Sequence, residues 1–268
     1  MERASEEVGS RAISLYEEEL ITMVERYFQK ITELLDEIRT SQADQIEEAA
    51  SMIANATSSG HTFFAFGCSH SGLLVQDIYY RAGTFMLVYP LFGPGMSLSH
   101  DFPPTKTSAM EHLSGLAEVI LDASPAKNDD ILLLISTSGR NRVPVEMARE
   151  AKRRGLKVIA LTSMPYSSAV ASQDASGAHV HDLADLILNN MAPVGDAAFV
   201  MNGLPAPIGP VSSITGTAIL HAVMSCVVEK WIEMGLTPPV YMSGNLDGGA
   251  NFNQEMLEKY REFFPFQP

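Results

Sequence analysis

Two short segments combine glycine, small hydroxyl side chains and position in a way that suits anion chemistry. They are Gly67-Cys-Ser-His-Ser-Gly72 and Ser136-Thr-Ser-Gly-Arg-Asn141. Each follows an apolar run and precedes a helical pattern. A loop in that place offers the unpaired N–H groups of a helix N-terminus, reinforced by the helix dipole, and attracts phosphate. Serine hydroxyls add directional donors, and glycine lets the backbone come close. Serine and glycine are also common turn and capping residues, so one such loop is an ordinary turn signal. Two of them, each after a buried strand, point to a phosphate ligand. Neither contains the Gly-Lys-Ser/Thr of a Walker A loop or a GxGxxG, so a nucleotide is not the expected ligand.

Other chemistry-bearing residues cluster nearby in sequence. Glu111 is expected to open a helix just after Gly93 to Thr107, a stretch rich in Pro, Gly and Ser. Long loops of that kind often cover active sites, although an acid at a helix N-terminus also serves the dipole. His100 and Asp101 lie within the stretch, and His70 lies inside the first Ser/Gly loop. Arg140 and Arg142 flank the second loop and suggest local positive charge. Cys68 sits where a thiolate would be stabilised, but no His/Asn partner set accompanies it, so it reads as a small packed residue. His179-Val-His181 would place both rings on one face of a strand. With no evident third ligand, no metal is expected there, and no cofactor is expected elsewhere.

The elements that position these residues follow from the apolar pattern. Leu20, Val24, Phe28, Ile31, Leu35 and Ile38 repeat every three or four residues and predict one long amphipathic helix over the first 40 residues. Ser41-Gln-Ala-Asp44 resembles a capping box opening a second helix, with Ile46, Ala50 and Ile53 inward and Gly60 as the stop. From His61 the period changes. Strands are expected at Thr62 to Phe66, Phe85 to Phe92, Asp130 to Ile135 and Lys157 to Thr162, with weaker ones at Leu186 to Leu188 and near Ala197 to Val200. Helices are expected through Arg81, from Ser108 to Leu121, from Val143 to Arg154, and from Ser213 to Met234, followed by a loop and a short acidic helix. Strands alternating with helices imply a parallel sheet covered on both faces. The division expected is residues 1–59 as N-terminal helices, suited to an oligomer contact, and residues 60–268 as one α/β domain with a C-terminal tail.

Composition excludes some partners. Lys and Arg total 18 against 32 Asp and Glu, a formal net charge of −14, which repels nucleic acid and anionic membranes. Two cysteines cannot build a disulfide framework. The first residues lack the basic-then-apolar order of a signal peptide, and the longest aliphatic run, Ile131 to Ile135, is too short for a bilayer. A cytoplasmic location is expected.

The second loop, Glu146-Met-Ala-Arg-Glu-Ala-Lys-Arg-Arg-Gly155 and Val158-Ile-Ala-Leu-Thr162 together resemble the signature of the SIS (sugar isomerase) domain family, and Gly67 to Ser71 matches its first phosphosugar loop. The likeness runs from about Gly60 to Gly235 and is nearest to a bacterial branch similar to phosphoheptose isomerases, sharing Tyr80-Arg-Ala-Gly83, Gly195-Asp-Ala-Ala198, Gly209-Pro-Val-Ser212 and the tail ending in Gly249. It implies a flavodoxin-like SIS fold that binds a phosphorylated sugar, as a homodimer or tetramer. Phosphate ligands map onto Ser136, Ser138 and Gly139, with Asn141 at the family Thr position, and Ser69 and Ser71 line the sugar. Phosphoheptose isomerases carry a Glu on the helix after the first loop, where Tyr80 or Arg81 stands here.

An aldose–ketose isomerase needs a base for a C–H proton and an acid/base group for the oxygens. Glu111 is the preferred base, with His70 and His100 as the other catalytic candidates. Asp77 reads as a solvent-facing helix residue and His221 as a satisfied core histidine. Asn251 and Asn253 could close over a sugar. A phosphosugar-sensing module, or a lyase or deglycase on the same fold, are the alternatives. The acidic N-terminal segment has no basic recognition helix, which argues against direct gene regulation.

Overall fold

The computed structural model describes residues 21–263, so Leu20 of the expected first stripe lies outside them. The first helix, α1 (Met23–Ser41), begins where Thr22 and Glu25 form a reciprocal capping box. Its Ile31, Leu34 and Ile38 are buried, whereas Val24 and Phe28 are about two-thirds exposed. The expected second capping box is not formed. Ser41 closes α1, donating its hydroxyl to the Glu37 carbonyl, and α2 (Ala43–Ser58) follows after the single residue Gln42. The Gln42 side chain instead accepts from the backbone N–H of Asn189 at 2.9 Å, which ties the helix junction to the sheet edge.

Five strands form one parallel sheet in the order β2-β1-β3-β4-β5: β1 (Phe63–Gly67), β2 (Tyr89–Leu91), β3 (Ile131–Ile135), β4 (Lys157–Thr162) and β5 (Leu186–Asn189). Alternate residues face opposite layers. Phe63, Ala65, Ile131, Leu133, Ile135, Ile159 and Leu161 join one core cluster, while Phe64, Phe66, Leu132, Leu134, Val158 and Ala160 join the other. Burial on both faces is why the strands read as unbroken apolar runs. The first layer holds α2, α3 (Ser69–Ile78) and α9 (Ser212–Glu233). The second holds α5 (Leu116–Asp122) and α6 (Arg142–Arg153).

Three expectations are corrected. The strand expected over Phe85 to Phe92 shrinks to β2, an edge strand containing Pro90, which cannot donate to a ladder; Phe85 only bridges to Val240. The single helix expected from Ser108 to Leu121 is two, α4 (Thr105–Met110) and α5, because Gly115 takes φ +83° between them. Glu111 therefore closes a helix rather than opening one. The weak strand near Ala197 leaves the main sheet: β6 (Ala197–Phe199) pairs antiparallel with β7 (Ile208–Pro210), and this hairpin packs on α1 through a Tyr27 hydroxyl bond to the Pro210 carbonyl. Helix α9 is long and apolar enough by length and composition to cross a membrane. Its Ile219, Leu220, Val223, Val227 and Trp231 nevertheless sit in the core. The remaining helices are α7 (Met164–Ala169), α8 (Val180–Leu183) and α10 (Gly249–Lys259).

Candidate functional site

The carboxyl ends of β1 and β3 open into a cleft of about 260 Å³. Ligands of parallel sheets bind at that edge. Both Ser/Gly loops line it, through Ser69, His70 and Ser71 from the first and Ser136, Thr137, Ser138 and Asn141 from the second. Neither α3 nor α6 has a side chain capping its N-terminus; the Ser69 and Val143 N–H groups are taken by carbonyls and Pro144 has none, which leaves those of His70, Ser71 and Arg142 in the first turns for a ligand.

Each loop keeps its shape through one close approach. A Cβ on Gly67 would lie 2.6 Å from the Ser71 carbonyl oxygen, so only glycine lets the first turn fold on itself. Gly139 has φ +62°, and a Cβ there would lie 2.7 Å from the Ser167 hydroxyl. Ser69 adopts φ +51°, an uncommon conformation for a residue with a side chain. Its N–H donates to the Met96 carbonyl and its hydroxyl to Glu111.

Glu111 joins the two loops. Its Oε1 accepts from Ser69 Oγ at 2.6 Å and its Oε2 from the Asn141 amide. Its backbone carbonyl accepts from Val143 N–H in the first turn of α6 at 3.0 Å. Asn141, the N-cap of α6, thus spends its side chain on Glu111 instead of on its own helix. Glu146 holds the segment after Glu111: its buried carboxylate accepts from Ser114 Oγ and from the Gly115 N–H.

No lysine or arginine is among the lining residues; Glu111 and Asp196 supply the formal charge. The expected contribution of Arg142 is not delivered to the cleft, since its guanidinium donates to the His112 carbonyl, and Arg140 does not line it either. Cys68 is buried against Met96, and burial together with the Glu111 charge pushes its thiol well above the ordinary range. It is a packed thiol, as its sequence context suggests.

The remaining candidates divide. His70 lines the cleft. His100 does not: it sits on the exposed surface, with Nδ1 bonded to Ser99 Oγ at 2.8 Å, because the segment from Gly93 folds onto Ser97 and Asp101 rather than over the loops. Asn253 is also outside, exchanging two bonds with the Met242 backbone. His221 is not a core histidine. It is partly exposed and meets Asp77 Oδ2 at 2.8 Å, with Arg81 on the other carboxylate oxygen, beside a shallow depression away from the cleft. Tyr80 and Arg81 are exposed and line that depression.

Sequence reasoning missed Asp196 and Ser212 as site residues. Asp196, at φ +62°, accepts from the Val211 and Ser212 N–H groups and from Ser212 Oγ, which fixes the start of α9 at the cleft wall. The Gly195-Asp196 turn and the Ser212 helix start are visible signals, but only tertiary folding brings them together.

Residues 26–163 match the family model of the SIS domain. Among curated sequences, the chain is 37% identical over 242 residues to a UPF0309 protein of Oceanobacillus iheyensis, covering 90% of this chain and 98% of that one. It is 41% identical over 230 residues to a UPF0309 protein of Streptomyces coelicolor, covering 86% and 92%. In fold it is similar to a phosphoheptose isomerase from Neisseria gonorrhoeae, with TM-score 0.52 and 18% identity over 76% of this chain and 97% of that one. It is also similar to one from Francisella tularensis, with TM-score 0.51 and 19% identity over 78% and 100%.

Proposed function

The chain belongs to the SIS domain family, and from that premise we propose that its cleft binds a phosphorylated sugar and isomerises it between aldose and ketose forms. The observation that carries this reading is Glu111. One carboxylate is suspended between Ser69 of the first loop and Asn141 of the second. It stands beside two helix N-termini that no side chain caps.

In this reading the phosphate sits on the second loop. Ser136 and Ser138 donate hydroxyls to it, and Gly139 gives the turn its curvature. Backbone N–H groups and the α6 dipole supply the positive end that Lys and Arg do not. Ser69 and Ser71 orient the sugar hydroxyls. Glu111 takes the C–H proton next to the carbonyl and returns it to the neighbouring carbon through an enediol. His70, on the same cleft, moves protons on the sugar oxygens. Two neutral donors, Ser69 and Asn141, hold the Glu111 carboxylate in place. The free thiols Cys68 and Cys226 suit a reducing cytoplasm, and the exposed Val24 and Phe28 of α1 supply apolar surface for a homo-oligomer.

The test is NMR of candidate sugar phosphates incubated with the protein in D2O. Isomerisation through an enediol washes deuterium into the carbon-bound position. We expect exchange and a ketose or aldose product with the native chain, and loss of both with Glu111→Gln. Binding without exchange would favour the sensing alternative, and a cleaved product the lyase alternative.

A further inference from the structure

We propose that His179, His181 and Asp182 form a binding site for a transition-metal dication of the zinc type, on the back of the phosphate loop. The pair does not lie on a strand, as its spacing suggests. His179 is the N-cap of α8, which brings in Asp182 as the third donor that the His-x-His spacing lacks. One donor atom from each residue lies within 4.8 Å of the others. His181 Nε2 is 3.4 Å from Asp182 Oδ1, and His179 Nδ1 is 3.8 Å from Asp182 Oδ2. The first separation matches an edge of a coordination tetrahedron with bonds of about 2.0–2.2 Å; the second runs to the other carboxylate oxygen and is wider, so binding through Oδ1 draws the His179 ring inward.

The ring nitrogens facing away from the carboxylate are already held. His179 Nε2 meets the Val170 carbonyl at 2.8 Å. A carbonyl only accepts, so the neutral ring carries its proton there and turns its Nδ1 lone pair toward Asp182, whose N–H it caps and from which an ion would displace it. His181 Nδ1 meets Ser167 Oγ at 2.8 Å, which turns Nε2 toward the Asp182 carboxylate. Outer partners of this kind fix tautomer and direction in metal-binding histidines. The ring centroids are 5.2 Å apart, and two imidazoles sharing one tetrahedral ion place theirs about 5 Å apart. Asp182 Oδ2 is anchored by the His179 N–H at 2.8 Å, leaving Oδ1 for the ion. Both histidine side chains are mostly buried, at 15% and 18% exposed, while the more open Asp182 side leaves a way in and a fourth position for water.

The site is bonded to the phosphate loop. Val180 N–H, between the two histidines, donates to the Gly139 carbonyl at 2.9 Å. Ser167, which holds His181, is the residue a Cβ on Gly139 would strike. An ion here stiffens the turn that presents Ser136 and Ser138.

Equilibrium dialysis of the metal-stripped full chain against zinc, with cobalt(II) absorption as a coordination probe, tests this without any sugar, so its outcome is independent of the phosphosugar reading. A second donor group joins a half-buried Cys226 to exposed Glu47 and Glu229, and Cys226→Ser controls for it. We expect one zinc per chain in the native protein and in Cys226→Ser, with the intense visible bands of tetrahedral cobalt. His181→Gln and Asp182→Asn should each weaken binding at least tenfold. Asp182 is a surface position, so its variant decides the matter should His181→Gln fail to fold. No stoichiometric zinc in the native chain, or native affinity in Asp182→Asn, would overturn the site.

Discussion

Glu111, Ser138 and Asn141 divide the work of the cleft among residues whose roles can be separated by substitution. Removing the Ser138 hydroxyl deletes one donor to an ionised group, a contact worth about 1.5–3 kcal/mol. Ser138→Ala should therefore weaken phosphosugar affinity about ten- to a hundredfold, measured by calorimetry, with turnover at saturation little changed. Glu111→Gln keeps the acceptor for Ser69 but removes the base. Binding should stay within a few-fold while turnover falls by about 10²–10⁴. Unchanged turnover would remove Glu111 from the mechanism. At this scale the sequence was partly legible. Serines and glycines announced both loops, because their chemistry is local. The link from Asn141 to Glu111 was not, since the two are 30 positions apart and the helix expected to start at Glu111 ends there. His100 misled for a related reason: Glu111 follows it closely in sequence, but the segment that carries His100 folds on itself away from the cleft.

Elements hold the loops at their working distance, and two contacts between elements carry measurable stability. Gln42, in the one-residue break between α1 and α2, satisfies the Asn189 N–H at the end of β5. Gln42→Ala leaves that donor without its acceptor and should cost about 1–3 kcal/mol, read as a lowered midpoint in urea. The second contact is Asp174 with Arg149 of α6. Burial works to raise the Asp174 carboxyl, but the Arg149 guanidinium and the Ser176 hydroxyl and N–H bring it down to about 2 from an ordinary 3.8. A depressed carboxyl stabilises the fold above its unfolded value and loses that contribution as pH falls through its folded value, here between about 4 and 2. The shift corresponds to about 2 kcal/mol. Asp174→Asn should therefore be less stable than the native chain by that amount at neutral pH, and the gap should narrow as pH approaches 2. A gap independent of pH would show that the pair contributes nothing by charge. The strands were the most legible elements, because burial on both faces leaves continuous apolar runs such as Ile131 to Ile135. Helix boundaries were less so. The break at Gly115 and the junction at Gln42 depend on what the backbone meets in space, which spacing alone does not encode.

Across the whole molecule, the net charge of −14 and a proposed phosphate ligand stand in tension, and the cleft sharpens it. Its lining holds two carboxylates and no lysine or arginine. The attraction for phosphate must come from oriented backbone N–H groups and two helix dipoles. Those act over one helical turn and are indifferent to the total charge. The most direct test is a thermal-shift comparison of matched sugars with and without the phosphate, on the native chain and on Ser138→Ala. The account predicts stabilisation by phosphate esters alone, rising with concentration and much reduced in the variant. Equal shifts with phosphorylated and free sugars, or no shift with any phosphate ester, would contradict it.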